Sequence, residues 1–189
     1  MRKLVAVLIV AAFTIMMVNV FAGETNKADA SKFSYIGVKK CKMCHKGEKK
    51  GNIFEKWQER GHAKAFATLA TEQSKEVAKK AGVKCDPQEA AECLVCHVTA
   101  YNAAAEQKAA TLTMEEGVSC EACHGPGSEY KSMKVMKDIN AGKAKGADFG
   151  LIAPDKEVCV TCHNPKSPTY KEFKYEEAVK KIAHPLPKK

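Results

Sequence analysis

The 189-residue chain has one tryptophan and six histidines, and beyond its first 22 residues it has no long apolar run. The missing run excludes an internal membrane-spanning helix, which needs roughly 20 apolar residues. Alternating stretches of strand type are few, so helices and loops are the expected elements. No cysteine follows the apolar start until Cys41, so no residue there could take a lipid anchor. The start itself is informative. Arg2 and Lys3 precede an apolar stretch from Leu4 to Val18, and Val20-Phe21-Ala22 closes it. This is the pattern of a secretory signal; the competing reading is a short membrane anchor. Cleavage after Ala22 is expected, leaving residues 23–189 as one domain without a stable membrane anchor.

An exported protein meets an oxidising compartment, where nine cysteines would ordinarily suggest disulfides with one thiol left over. The spacing argues otherwise. Eight cysteines form four pairs, each followed at once by histidine: Cys41, Cys44 and His45; Cys93, Cys96 and His97; Cys120, Cys123 and His124; Cys159, Cys162 and His163. C-x-x-C-H is the attachment pattern of c-type haem. Two thiols add to the two vinyl groups of one haem, and the adjacent histidine lies beneath the iron as its proximal ligand. Zinc sites use C-x-x-C pairs without requiring the next residue to be histidine. A disulfide framework needs no histidine either. Four covalent haems are therefore expected. Cys85 stands outside every pair and reads as a free, partly buried thiol.

The motifs begin at 41, 93, 120 and 159, with no fixed repeat. Asn52 to Lys80 is alanine-rich and mostly helix-forming, interrupted at Gly61 by a kink or a boundary. Asp86-Pro87-Gln88-Glu89 predicts a helix start running into Cys93–His97. Ser119 is placed to cap a helix over Cys120–His124, Gly125-Pro126-Gly127 to stop it, and Ser128 to begin another through about Asp138. Residues 140–154 read as a loop, and Tyr175–Ala183 as a last helix. The expected fold is mainly α, with short helices and loops wrapped around four closely packed covalent haems. So small a protein core gains apolar area and covalent staples from such groups. Phe54, Trp57 and Phe66 are expected against porphyrin or in ordinary helix packing.

Four irons with two axial histidines each need eight histidines, and the chain has six. Four are proximal, so only His62 and His184 remain as distal ligands. At least two irons therefore lack a distal histidine, and exchange between identical subunits leaves that total unchanged. Methionine, lysine, water or nothing could occupy those positions. Met43 lies inside a motif. Met133 and Met136 share a helix face and read as core. Met114 is the better candidate.

Several stretches carry a likeness. The segment Trp57, His62, Ala63, Lys64, Ala65, with CLVCHVTAY, GVSCEACHGPGSEY and the late KIAHP, resembles the tetrahaem cytochrome c-554 family. Some tetrahaem subunits of extracellular cytochrome filaments are similar too. The resemblance implies that His62 pairs with His163 and His184 with His124. It also implies an open iron opposite His97, leaving His45 as the other proximal histidine without a distal partner.

Charge does not redirect this reading. The formal net charge is +9, and removing Arg2 and Lys3 leaves +7. Eight propionates and four ferric centres would bring the loaded protein to about +3 oxidised and about −1 reduced. The basic composition is thus no argument for nucleic acid, though its lysines could steer an acidic redox partner. The expected function is single-electron transfer between a redox-protein donor and acceptor in anaerobic or nitrogen-linked respiration. The expected location is the periplasm, with the cell exterior as alternative. The competing readings are a haem enzyme reducing nitric oxide or another small nitrogen compound at an open iron, and a filament subunit. Oligomeric state is left open.

Overall fold

The computed structural model describes residues 32–184. The cleavage expectation at Ala22 and the terminal Pro187–Lys189 lie outside the described residues. Among them the chain forms short helices: α1 (Val38–His45), α2 (Ile53–Glu59), α3 (Ala65–Thr68), α4 (Glu72–Lys80), α5 (Ala91–His97), α6 (Cys120–His124), α7 (Met133–Asn140), α8 (Lys156–Val160) and α9 (Tyr175–Ile182). Single 3-10 turns join several of them, including one over Gly61–Lys64 and one over Met114–Glu116. The described residues contain no strand, only an isolated bridge between Tyr35 and Lys108. The fold is the small all-α arrangement that the sequence predicts.

Helix boundaries depart from expectation for local reasons. Gly61 is a boundary, as one of its two readings expects, and the stretch 52–80 breaks further into α2, a 3-10 turn, α3 and α4. Arg60 and Thr71 adopt extended backbone, and the Thr71 hydroxyl caps α4 by accepting from Ser74 N–H at 3.2 Å. Asp86 does not start α5. Its carboxylate accepts from Gln88 N–H at 2.8 Å, closing a local turn, and the helix begins at Ala91. Ser128 does not start α7 either. It pairs instead with Ser34, its hydroxyl accepting from Ser34 N–H at 3.1 Å, and Ser132 takes the N-cap position. Met133, expected in the core, is 63 % exposed.

The protein-only core is thin. Its main cluster is Leu69, Leu94 and Val98, with Phe66, Cys93 and Tyr101 packed against it. Phe66 thus packs in ordinary apolar contact beside an attachment cysteine. Phe54 is buried and tilted against Trp57, ring centres 5.6 Å apart. The Trp57 indole donates to Val118 C=O at 2.9 Å. Helices of this length gain little from propensity alone and depend on what they pack against.

Candidate multihaem site

Each motif sits at the end of a helix, and helical geometry explains the spacing. Residues three and four apart share a face, so the first cysteine, the second cysteine and the histidine project together. Three motifs close their helices at the histidine: His45 in α1, His97 in α5 and His124 in α6. In the fourth, Cys159 lies in α8 while Cys162 and His163 occupy the following turn. His163 N–H still donates to Cys159 C=O at 3.0 Å, so the helical relation persists.

The histidines fall into two sets. His62 and His163 face each other with ring centres 6.0 Å apart, and His124 and His184 with ring centres 5.9 Å apart. A metal–imidazole bond is about 2.0–2.1 Å, and two such bonds on opposite sides of one ion separate the ring centres by about 6 Å. Both pairs fit an iron held between them. Burial lowers the pKa of His62, with His163 adding to the effect; burial and then His184 lower that of His124. Neutral imidazole is the form that binds a metal. His45 and His97 have no second imidazole to face, because the other four histidines are committed to the two pairs.

The surroundings of these last two rings differ. The His97 Nδ1–H donates to Ala65 C=O at 2.7 Å, which fixes the tautomer and leaves Nε2 free. His45 Nδ1 is buried and has no hydrogen-bond partner. An orphaned ring nitrogen is costly in a finished core. The donor set as a whole, eight thiols and six imidazoles, fits covalent haem.

Thiols of different motifs lie near enough to influence one another: Cys41 and Cys120, Cys96 and Cys162, and Cys123 with Cys159 and Cys162. Burial, joined by the neighbouring thiols, pushes Cys96 and Cys123 up to about 11, so both are protonated in neutral water. These proximities order the attachment sites as first, third, fourth, second.

The third motif carries the bracing. Glu121, within C-E-A-C-H, is 1 % exposed. Its carboxylate accepts from Ile36 N–H at 3.0 Å, Gly37 N–H at 2.8 Å and Gly127 N–H at 2.7 Å. Burial raises its pKa, while those three donors pull the other way. Glu116 accepts from Val38 N–H, at the first residue of α1. Two buried carboxylates on the third-motif side therefore hold the segment leading into the first motif. Tyr130 O–H donates to Gly125 C=O at 2.7 Å, closing the CHGPGSEY run on itself. Gly117 holds φ +62°, and a Cβ there would stand 2.7 Å from His62 C=O. Val118 N–H donates to that same carbonyl at 3.0 Å. The approach to the third motif thus clasps the turn that carries His62. Thr99, just after the second motif, joins in: its hydroxyl accepts from Ser119 N–H at 2.7 Å.

The comparisons agree with this geometry. Residues 40–125, spanning the first three motifs, match the family described as cytochrome c554 and c-prime. The chain is 32 % identical over 162 residues to cytochrome c-554 of Nitrosomonas europaea, covering 75 % of this chain and 61 % of that protein. The chain therefore spans about three fifths of the length of the curated relative it matches. No solved structure matches significantly. The chain is thus similar to the cytochrome c-554 family. With its four motifs, the likeness supports a c-type cytochrome.

Within this site, sequence reasoning missed Glu121 and Glu116. A glutamate between two attachment cysteines reads as a solvated spacer, and only the fold shows three N–H groups converging on it. Gly117 and Tyr130 were legible as parts of a family stretch, but their contacts were not. Met114 begins a 3-10 turn and is 44 % exposed. Cys85 is exposed rather than partly buried, a correction that follows from its place in a loop ahead of Asp86.

Proposed function

We propose that the chain is an exported tetrahaem electron carrier. Each haem would be held by one motif, through Cys41 and Cys44, Cys93 and Cys96, Cys120 and Cys123, and Cys159 and Cys162. Bound haem supplies reversible one-electron chemistry at iron. The protein supplies the rest. His124 with His184, and His163 with His62, would fill both axial positions of two irons and hold them low-spin. The proximity of these thiols brings neighbouring attachment sites together, which suits electron passage along one series from Cys41 to Cys93. The observation that carries this reading is the spacing of the two histidine pairs, each formed by one motif histidine and one histidine from elsewhere.

Intact mass of the exported protein, with electron paramagnetic resonance of its ferric form, tests the proposal. The expected result is a chain starting at Gly23 with four haem additions and at least two low-spin signals. Fewer haems, or zinc, would overturn it.

A second reading adds activity at an open iron. The observation favouring it is the His97 ring, fixed by Ala65 C=O with no imidazole available to oppose it. Such an iron could bind nitric oxide or another small nitrogen compound, with the other sites supplying electrons. A ferrous iron bearing only His97 should bind nitric oxide with His62 and His184 intact; complete inertness would exclude this reading. A periplasmic role between a donor and an acceptor protein in respiration is part of the proposal.

A further inference from the structure

Lysines are spread along the whole chain, but their surroundings are not alike. Between residues 39 and 56 there are seven lysines and two glutamates. Lys39, Lys40, Lys46, Lys49 and Lys50 are exposed. The ion pairs among the described residues all lie elsewhere: Lys75 with Glu72, Lys134 with Asp138, and Lys174 with Glu177. One of the two local glutamates, Glu55, is turned inward onto Gly47 N–H at 3.3 Å. Lys42 is drawn over the Phe54 ring, 4.6 Å from its centre. The remaining positive charge is therefore uncompensated and solvent-facing.

In the same segment Met43 is 76 % exposed. An exposed methionine among exposed lysines has the form of a transient docking surface, where charges steer the approach and a soft apolar side chain makes contact. The first motif also stands at one end of the series of neighbouring thiols, whose other end is the second motif.

We propose that the lysine surface around Cys41–His45 is the docking site for an acidic redox protein, which exchanges one electron with the haem held there. This rests on the electron-carrier reading above. The step is a one-electron transfer: the partner's reduced centre is oxidised by one electron, and one ferric iron becomes ferrous. No bond is made or broken.

The test uses the loaded protein and reduced flavodoxin, a strongly acidic one-electron donor, as probe. The variant K39E/K40E/K49E/K50E reverses the surface, and K143E/K145E/K171E/K180E makes the same change in net charge elsewhere. Stopped-flow reduction at low ionic strength should be about tenfold slower for the first variant than for the second. Flavodoxin binding, followed by calorimetry, should weaken in the same order, and salt should erase the difference. The milder K39Q/K40Q/K49Q/K50Q variant guards against misassembly and should show a smaller loss in the same direction. Equal rates for the two reversed variants would overturn the proposal, leaving net charge alone as the cause. So would a surface that binds anionic phosphatidylglycerol vesicles while its reversal leaves the flavodoxin rate unchanged. If the wild-type protein accepts no electron from flavodoxin or dithionite, it is the electron-carrier reading that fails.

Discussion

The first and second motifs contrast with the third and fourth. His124 and His163 each face a second imidazole at about the separation one iron requires. His45 and His97 carry the same attachment pattern in the same helical setting and face none. The local sequence is equally good in all four cases. The difference comes from residues far away in the chain: His62 lies 101 residues before His163, and His184 lies 60 after His124. Attachment is thus a local property and ligation a tertiary one. On the proposed four-haem reading, two sites could take a second imidazole and two could not.

The most severe way to break the contrast is to remove the third attachment site. Cys120 lies near Cys41 of the first motif, and Cys123 near the thiols of the fourth. Replacing both by serine should lower the intact mass by one haem and also lose most of the helical circular dichroism, because two neighbours lose their shared surface. An equivalent change at Cys93 and Cys96, at the end of the series, should remove one haem and leave most of the helix signal.

Axial substitution would convert one class of site into the other. His62→Ala and His184→Ala should each turn one low-spin ferric signal high-spin and raise the number of nitric oxide-reactive irons by one, with all four haems still attached. An unaltered ferric spectrum would show that the substituted histidine is not a ligand.

A smaller effect is expected at the brace. Glu121→Gln keeps the size of the side chain but cannot accept from Ile36, Gly37 and Gly127 together. It should cost about 2–4 kcal/mol in denaturant unfolding of the loaded protein, with the loss felt first at the segment entering the first motif. Met114→Ala should have the least effect. With its side chain 44 % exposed, the number of nitric oxide-reactive irons should stay as in the parent; an increase of one would make Met114 the ligand opposite His45.

How much of this was legible follows from the range of each interaction. The helices over the second and third motifs and the last helix, α9, could be read because their signals lie within a few residues, although no side chain caps any of the three. The break of 52–80 into three helices could not, because it depends on the 3-10 turn at Gly61–Lys64, which is held from outside by Val118 and Gly117. Asp86 and Ser128 misled for a related reason. Both are good cap residues, yet one closes a local turn and the other is used to fasten Ser34.

The sequence by itself determined the chemistry of the site. Four C-x-x-C-H motifs define covalent haem attachment, and six histidines cannot supply eight axial positions, whatever the fold. Which motif histidines gain a partner, and which do not, was decided only by tertiary structure. A distal ligand is useful only if its ring stands about 6 Å from another across an iron, and nothing in local spacing constrains residues 60 or 101 positions apart. The same holds for Glu121. Its value as a brace comes from N–H groups brought to it by a segment more than 80 residues earlier, and burial is what makes their loss expensive.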